Sequence, residues 1–347
     1  MGGTQGIASG RKLGRLVPVL LLSLLGCSGG IRISAQSTLE PVPTATAPAS
    51  PTPNAPSGPL GSVKNPLVLA LPPSTRPGAD VLNAGKTLSS LIEKTTGYKV
   101  VSVIPPDEGE LIRAFGLGNA HIAALSPFGY LLASEEGVVE AALAREQAGN
   151  ILYGTQFIAR REDKYLSYFD DVQSKNVTEA SIALAQFQDK KPCWTDARSA
   201  SGYVVPLGIL AGAGIHTREP AFLASHPAVV RAVYTSGICD FGATYVDARA
   251  FPGLEDELPD VMHEVQVIWR VPPMIPYETV VFAHGMPIDV RRVLIRAFID
   301  LASDPTGRAA LQTLYGFSTM QVVQDSLYAD FREAVKDSAL DLASLLE

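Results

Sequence analysis

The chain has 347 residues, 46% of them apolar and 18% charged, and its 28 Lys and Arg against 35 Asp and Glu leave a formal net charge of -7. The apolar share is enough for a globular core, and the acidic balance sets nucleic acid aside as a partner, because that affinity rests on phosphate neutralisation by Lys and Arg. Besides Cys27, only Cys193 and Cys239 are present, with no Cys or His at zinc spacing, which sets a metal site aside.

Arg11, Lys12 and Arg15 precede the apolar run Leu16 to Leu25. That run is too short for a permanent membrane helix, and its basic flank predicts a secretion signal over residues 1–26. Leu24-Leu25-Gly26-Cys27 resembles the bacterial lipobox, which implies cleavage before Cys27 and lipidation of that residue. Each buried methylene of the acyl chains would contribute about 0.8 kcal/mol to anchoring. Residues 27–63 are rich in Ser, Thr, Ala and Pro and predict a disordered tether. No later apolar stretch is long enough to span a bilayer.

From residue 64 onward, short apolar runs alternate with amphipathic stretches, the pattern of an α/β protein with buried strands. Asn65 to Pro73 holds the first strand, Ala79 to Thr95 a helix closed by Gly97, Tyr98 to Ile104 a second strand, and Gly109 to Phe115 a second helix. His121 to Leu125 is a third strand that runs into Ser126-Pro127, and such strand exits line the carboxyl edge of an open sheet, where ligands bind. A second unit follows Ile151 to Ile158: a strand over Ala180 to Ala185, a helix over Pro227 to Thr235, a strand over Ile238 to Ala243 and a long strand over Glu264 to Val271. The final helices fall over Asp289 to Ala302, Gly307 to Tyr315 and Ser326 to Leu346. A long strand at each end of the middle unit predicts two crossings, with lobe 1 made of residues 64–155 and 272–347 and lobe 2 of residues 156–271.

Asp196-Ala-Arg-Ser199-Ala-Ser201-Gly202, followed by an apolar helical run, carries the sharpest chemistry. Small hydroxyl residues and a glycine at a helix start let free N–H groups and hydroxyls converge on one anion at the positive end of the helix dipole. A plain N-cap is the other reading of the same residues. An oxidising compartment would allow Cys193 and Cys239 to pair, and two free buried thiols remain open. Ser201 lacks a nucleophile-elbow pattern and Gly212-Ala-Gly214 lacks the dinucleotide fingerprint, so no enzyme and no cofactor are expected.

Ser199-Ala-Ser-Gly-Tyr-Val-Val-Pro206 resembles the Ser-Thr-Ser-Gly segment of phosphonate-binding periplasmic proteins. Ser225-His226, Cys239-Asp240, Val267-Ile-Trp-Arg270 and Ile275-Pro276 resemble other stretches of that family in order and spacing. The resemblance implies an α/β type II periplasmic-binding-protein fold, two α/β lobes joined by two crossing strands with a ligand cleft between them. It further implies that Ser199, Ala200, Ser201, Gly202 and His226 hold the oxyanion, with a hydroxyl missing at Ala200. Asp247 and Glu278 fall where family carboxylates hold a ligand ammonium, and Tyr153 where an aromatic lines the cleft. Glu108 replaces a family Tyr; a carboxylate facing a dianion repels it, so Glu108 must turn outward or the ligand must differ. Ser126 is an added candidate donor. The expected partners are a small oxyanion such as a phosphonate, an ABC permease, and the membrane surface through lipid on Cys27, for an extracytoplasmic monomer. A ligand-sensing receptor module and an extracytoplasmic phosphoester hydrolase are the alternatives.

Overall fold

A computed structural model describes residues 58–346; the expected secretion signal, Cys27 and the expected tether as far as residue 57 lie outside the described residues. Gly58 to Asn65 forms a closed turn in which Gly61 N–H donates to Asn65 O at 2.8 Å and Lys99 N–H donates to Gly61 O at 2.7 Å. Gly61, at φ +87°, lies so close to Tyr98 that a Cβ would stand 2.6 Å from its ring. Leu60 packs on the core as well, so residues 58–63 belong to the fold and not to the tether expected for them.

The first unit runs β1 (Leu67–Ala70), α1 (Ala79–Thr96), β2 (Val100–Val103), α2 (Glu108–Gly116), β3 (Ile122–Leu125), α3 (Pro127–Glu135) and β4 (Val139–Arg145). Spacing and caps explain the helices: α1 buries Ala84, Leu88 and Ile92 on one face and stops at Gly97, φ 76°. Asp107 caps α2 by accepting from Glu110 N–H, and Ser126 caps α3 by accepting from Gly129 N–H.

The chain then passes through β5 (Leu152–Tyr153) and β6 (Thr155–Arg160), a small hairpin of β7 (Phe169–Asp170) and β8 (Lys175–Asn176), α4 (Ala180–Ala183), β9 (Pro192–Trp194), α5 (Val205–Gly212), β10 (Ala221–Phe222), α6 (His226–Thr235) and β11 (Phe241–Tyr245). Two single turns, α7 (Leu254–Glu257) and α8 (Val261–Glu264), lead to β12 (Val265–Arg270), β13 (Ile275–Pro276) and β14 (Thr279–Ala283). The end is α9 (Ile288–Ser303), α10 (Pro305–Tyr315), β15 (Met320–Val322) and α11 (Ala329–Asp337).

Two sheets result. One has the order β15-β4-β14-β3-β1-β2 and the other β10-β9-β11-β6-β12. The chain passes between them twice, through Gly154 and through Val271 to Met274, and the passes lie side by side: Val271 N–H donates to Thr155 O at 2.8 Å and Met274 N–H to Tyr153 O at 3.2 Å. Gly154 is required there, since a Cβ would stand 2.8 Å from Val271 O. In the second sheet Cys193 on β9 and Cys239, just before β11, form a disulfide with Cα atoms 5.6 Å apart.

Two elements depart from the sequence reading, and strand β4 falls where that reading places no element. The strand expected over Ala180 to Ala185 is the short helix α4 and a 3₁₀ turn, and the sheet takes Pro192–Trp194 instead. A run as short as Ser-Ile-Ala-Leu-Ala has no decisive period, and its alanines favour the helix. The helix-prone Val-Glu-Ala-Ala-Leu-Ala-Arg is strand β4, paired on both edges with β14 and β15, where sheet burial overrides propensity. The last helix does not simply complete the first lobe. Phe331 of α11 meets Phe128 of α3 at 5.5 Å, while Ala334 O presses on Gly208 of α5, where any Cβ would collide. Thus α11 bridges the two lobes.

Candidate functional site

Ser199 follows a turn closed by its own N–H, which donates to Asp196 O at 3.2 Å, and it caps the next turn, its Oγ accepting from Gly202 N–H at 3.0 Å. The turn Ala200–Val204 is a π-helix: Ser199 O accepts from both Tyr203 N–H and Val204 N–H, at 3.1 and 3.0 Å. Such wide turns recur at functional sites because they splay the first amides. Among the described residues, the N–H groups of Ala200 and Ser201 donate to no protein acceptor. Thr155 fixes the turn from below, its hydroxyl lying 2.5 Å from Ser201 O and 2.8 Å from Thr244 O. Gly202 allows the close approach of Thr195, whose Oγ1 is buried without a partner; a Cβ at Gly202 would collide with that oxygen and stand 2.9 Å from Ser199 Oγ.

Ser201, Tyr153 and His226 line one cavity of about 460 Å³, together with Gly154, Tyr245, Val246, Gln147 and Tyr277. Tyr153 stacks on Tyr277 at 5.0 Å. Its hydroxyl sits beside Ser201, and burial, outweighing that hydrogen bond, pushes its pKa up to about 12, so it is a neutral donor. His226 opens α6 behind the cap Ser225, and its Nδ1 accepts from Tyr245 N–H at 3.2 Å. Burial pulls its pKa down to about 4 against the opposing pull of Asp196. The ring is therefore neutral at pH 7 with its proton on Nε2, a donor and not a base.

The wall built on the first sheet is different. Ser126 follows β3, Glu278 precedes β14, Arg145 ends β4, and the registers Thr279 with Leu125 and with Ala144 bring all three to one sheet edge. Glu108 turns inward: one carboxylate oxygen accepts from Ser126 N–H at 2.7 Å and the other from Ser126 Oγ at 2.8 Å. Burial raises its pKa, the Ser126 bonds oppose the rise, and the charge of Glu278 adds to it. Ser126 thus spends its hydroxyl proton on Glu108 and has none to offer a ligand. Glu278 accepts from Arg145 Nη1 at 2.9 and 3.2 Å, and Arg145 also reaches Gln147 at 2.8 Å.

Asp247 is not brought to this cavity. It sits at φ 58° with its carboxylate 3.0 Å from Arg249 and 3.3 Å from Arg270. Ser199 and Gly202 shape the turn and Ala200 adds an amide, whereas Ser201 faces the cavity. Arg145, Gln147, Tyr245 and Tyr277 carried no signal in the sequence, because only the strand registers place them here. Among the described residues, no three His, Cys, Asp or Glu side chains converge as metal ligands, and no helix is long and apolar enough to cross a membrane.

A family profile described as "ABC transporter, phosphonate, periplasmic substrate-binding protein" matches residues 73–328. The Phosphate-import protein PhnD of Mycolicibacterium smegmatis is 25% identical over 171 residues, 46% of this chain and 48% of that protein, so the chain spans about half the length of the curated relative it matches. Among solved structures, XAC2383 from Xanthomonas citri bound to ATP superposes with a TM-score of 0.53 at 18% identity, over 81% of this chain and 99% of that one. The same protein bound to chloride ion gives 0.54 at 19%, over 79% and 97%. At such identities the likeness is one of fold.

Proposed function

This chain belongs to the family of periplasmic substrate-binding proteins of phosphonate ABC transporters, and from that premise we propose that it captures a small phosphorus oxyanion between its lobes and hands it to a membrane permease. Its fold is the α/β type II periplasmic-binding-protein fold. One observation carries the reading: the open amides of Ala200 and Ser201, the Ser201 hydroxyl, the Nε2–H of His226 and the Tyr153 hydroxyl converge on one cavity with donors and no carboxylate. Preorganised donors at a helix start suit an anion of tetrahedral shape. Both lobes contribute, so binding favours the closed arrangement, which a permease can recognise.

Binding without turnover follows from the same geometry. Ser201 has no base beside it, since His226 carries its proton on the nitrogen that faces the cavity and uses the other toward Tyr245. The protein works outside the cytoplasm as a monomer, held at the membrane through lipid on Cys27. A thermal-shift series with methylphosphonate, 2-aminoethylphosphonate, phosphite and phosphate tests the ligand class. A ligand at a hundredfold its dissociation constant stabilises by about 2.7 kcal/mol. At least one of these anions raises the melting temperature of the wild type, and Ser201→Ala with His226→Gln abolishes the rise. Absence of a shift for all four sinks the proposal, and turnover of a phosphonate ester lost in Ser201→Ala would move the protein to the hydrolases.

A further inference from the structure

Three carboxylates, Glu108, Asp247 and Glu278, were candidates to meet the ligand. Two are neutralised: Asp247 by Arg249 and Arg270, Glu278 by Arg145. Glu108 makes no ion pair among the described residues, and its only hydrogen bonds there come from one serine, the cap of α3. That places an uncompensated negative charge on the N-terminus of α3, where the helix could itself have received an anion. The two Ser126 bonds hold the carboxylate, and Gly129 leaves it room, since a Cβ there would collide with one of its oxygens.

The registers tie this charge to the cavity. Ser126, Glu278 and Arg145 share one sheet edge, and Tyr277, adjacent to Glu278, lines the cavity and stacks on Tyr153. Of the two carboxylates at the edge that Tyr277 joins to the cavity, Glu278 is paired with Arg145, and the charge left over is that of Glu108. Resting on the oxyanion reading above, we infer that Glu108 is the specificity determinant of the first lobe: it occupies that lobe's anion seat from within, selects ligands whose far end donates hydrogen bonds or carries positive charge, and rejects those with a second anion.

The discriminating experiment is titration calorimetry of the full chain with three phosphonates that share a head and differ in tail charge: 2-aminoethylphosphonate, ethylphosphonate and phosphonoacetate. The wild type binds them in that order of affinity, with at least a hundredfold between first and last. In Glu108→Gln, which keeps the side-chain shape and an acceptor for Ser126 N–H, that ratio falls at least tenfold, mostly through a gain for phosphonoacetate. Ethylphosphonate changes less than threefold. Circular dichroism checks the fold, and if the Gln variant does not fold, Glu108→Asp, which draws the carboxylate one methylene away from Ser126, lowers the same ratio. An unchanged ratio in a folded variant that still binds ethylphosphonate overturns the inference and leaves the oxyanion reading standing. Failure of the wild type to bind any of the three while phosphite or phosphate still raises its melting temperature overturns the inference alone, and failure with all of them removes both.

Discussion

The two lobes use the same device, a serine-capped helix start, and the two starts end in opposite states. At Ser199 the turn widens, the amides of Ala200 and Ser201 stay open, and the side chains lining the cavity beside them include no carboxylate. At Ser126 the turn is tight, and a carboxylate from the preceding helix already sits on it. The same backbone geometry leaves one helix start with open amides and the other satisfied from within the chain. What separates them is one inward side chain, Glu108, and one widened turn. A helix start therefore becomes a site only when nothing in the chain fills it first.

The comparison breaks most severely through the disulfide, which staples only the sheet that bears the open turn. Cys193 and Cys239 lie 46 residues apart, and chain entropy gives such a loop about 4 kcal/mol. Reductant, or Cys193→Ser with Cys239→Ser, lowers stability by roughly that amount, and hydrogen exchange shows β9 and β11 losing protection before β1 to β3. Acid sharpens the contrast next. His226 is held at about 4 in the folded chain against 6.5 in the unfolded one, so the unfolded state takes up the proton first. Stability is full above pH 6.5 and declines as pH falls toward 4, by on the order of 3 kcal/mol, a decline that His226→Gln flattens. Glu108 runs the other way: its pKa is raised above 4.5, so its contribution is full below that value and is lost as pH rises through its folded value. Denaturant titrations of the two variants across pH 4 to 8 separate the opposite slopes.

Smaller effects probe the open turn itself. Gly202→Ala drives a methyl against Thr195 and Ser199, for a cost of about 1–3 kcal/mol and loss of the anion-dependent thermal shift. Tyr153→Phe removes one hydroxyl beside Ser201 while keeping the stack on Tyr277. It leaves the melting temperature of the free protein nearly unchanged and weakens anion binding by about 1 kcal/mol, roughly fivefold.

What could be read before the fold was known was local. The hydroxyl-rich helix start at Ser199, the caps and the alternation of helix and strand are all written in residues close together along the chain. Ser201, His226 and Tyr153 could be nominated from short motifs, and one cavity contains all three. Partners set by register could not be read. Arg145 ends a segment whose composition reads as helix, and only its pairing with β14 puts it beside Glu278. Of the two arginines that take up Asp247, Arg249 is its near neighbour along the chain, but Arg270, on the far strand β12, is equally invisible in one dimension. The inward turn of Glu108 was one of two options left open by its charge, and the depth of the Ser126 cap decided between them.

The bridging helix α11 has a mechanical consequence. Two adjacent strands alone would let the halves twist as well as bend. With Phe331 lodged against Phe128 and Ala334 pressed onto Gly208, a third tie lies off the line of those strands, and three ties that do not lie in a row resist torsion. Opening and shutting is thereby confined to a jaw-like swing. The seat of Ala334 O on Gly208 lies on α5, directly beyond the open turn, so the travel of that jaw and the shape of that turn are set by the same helix.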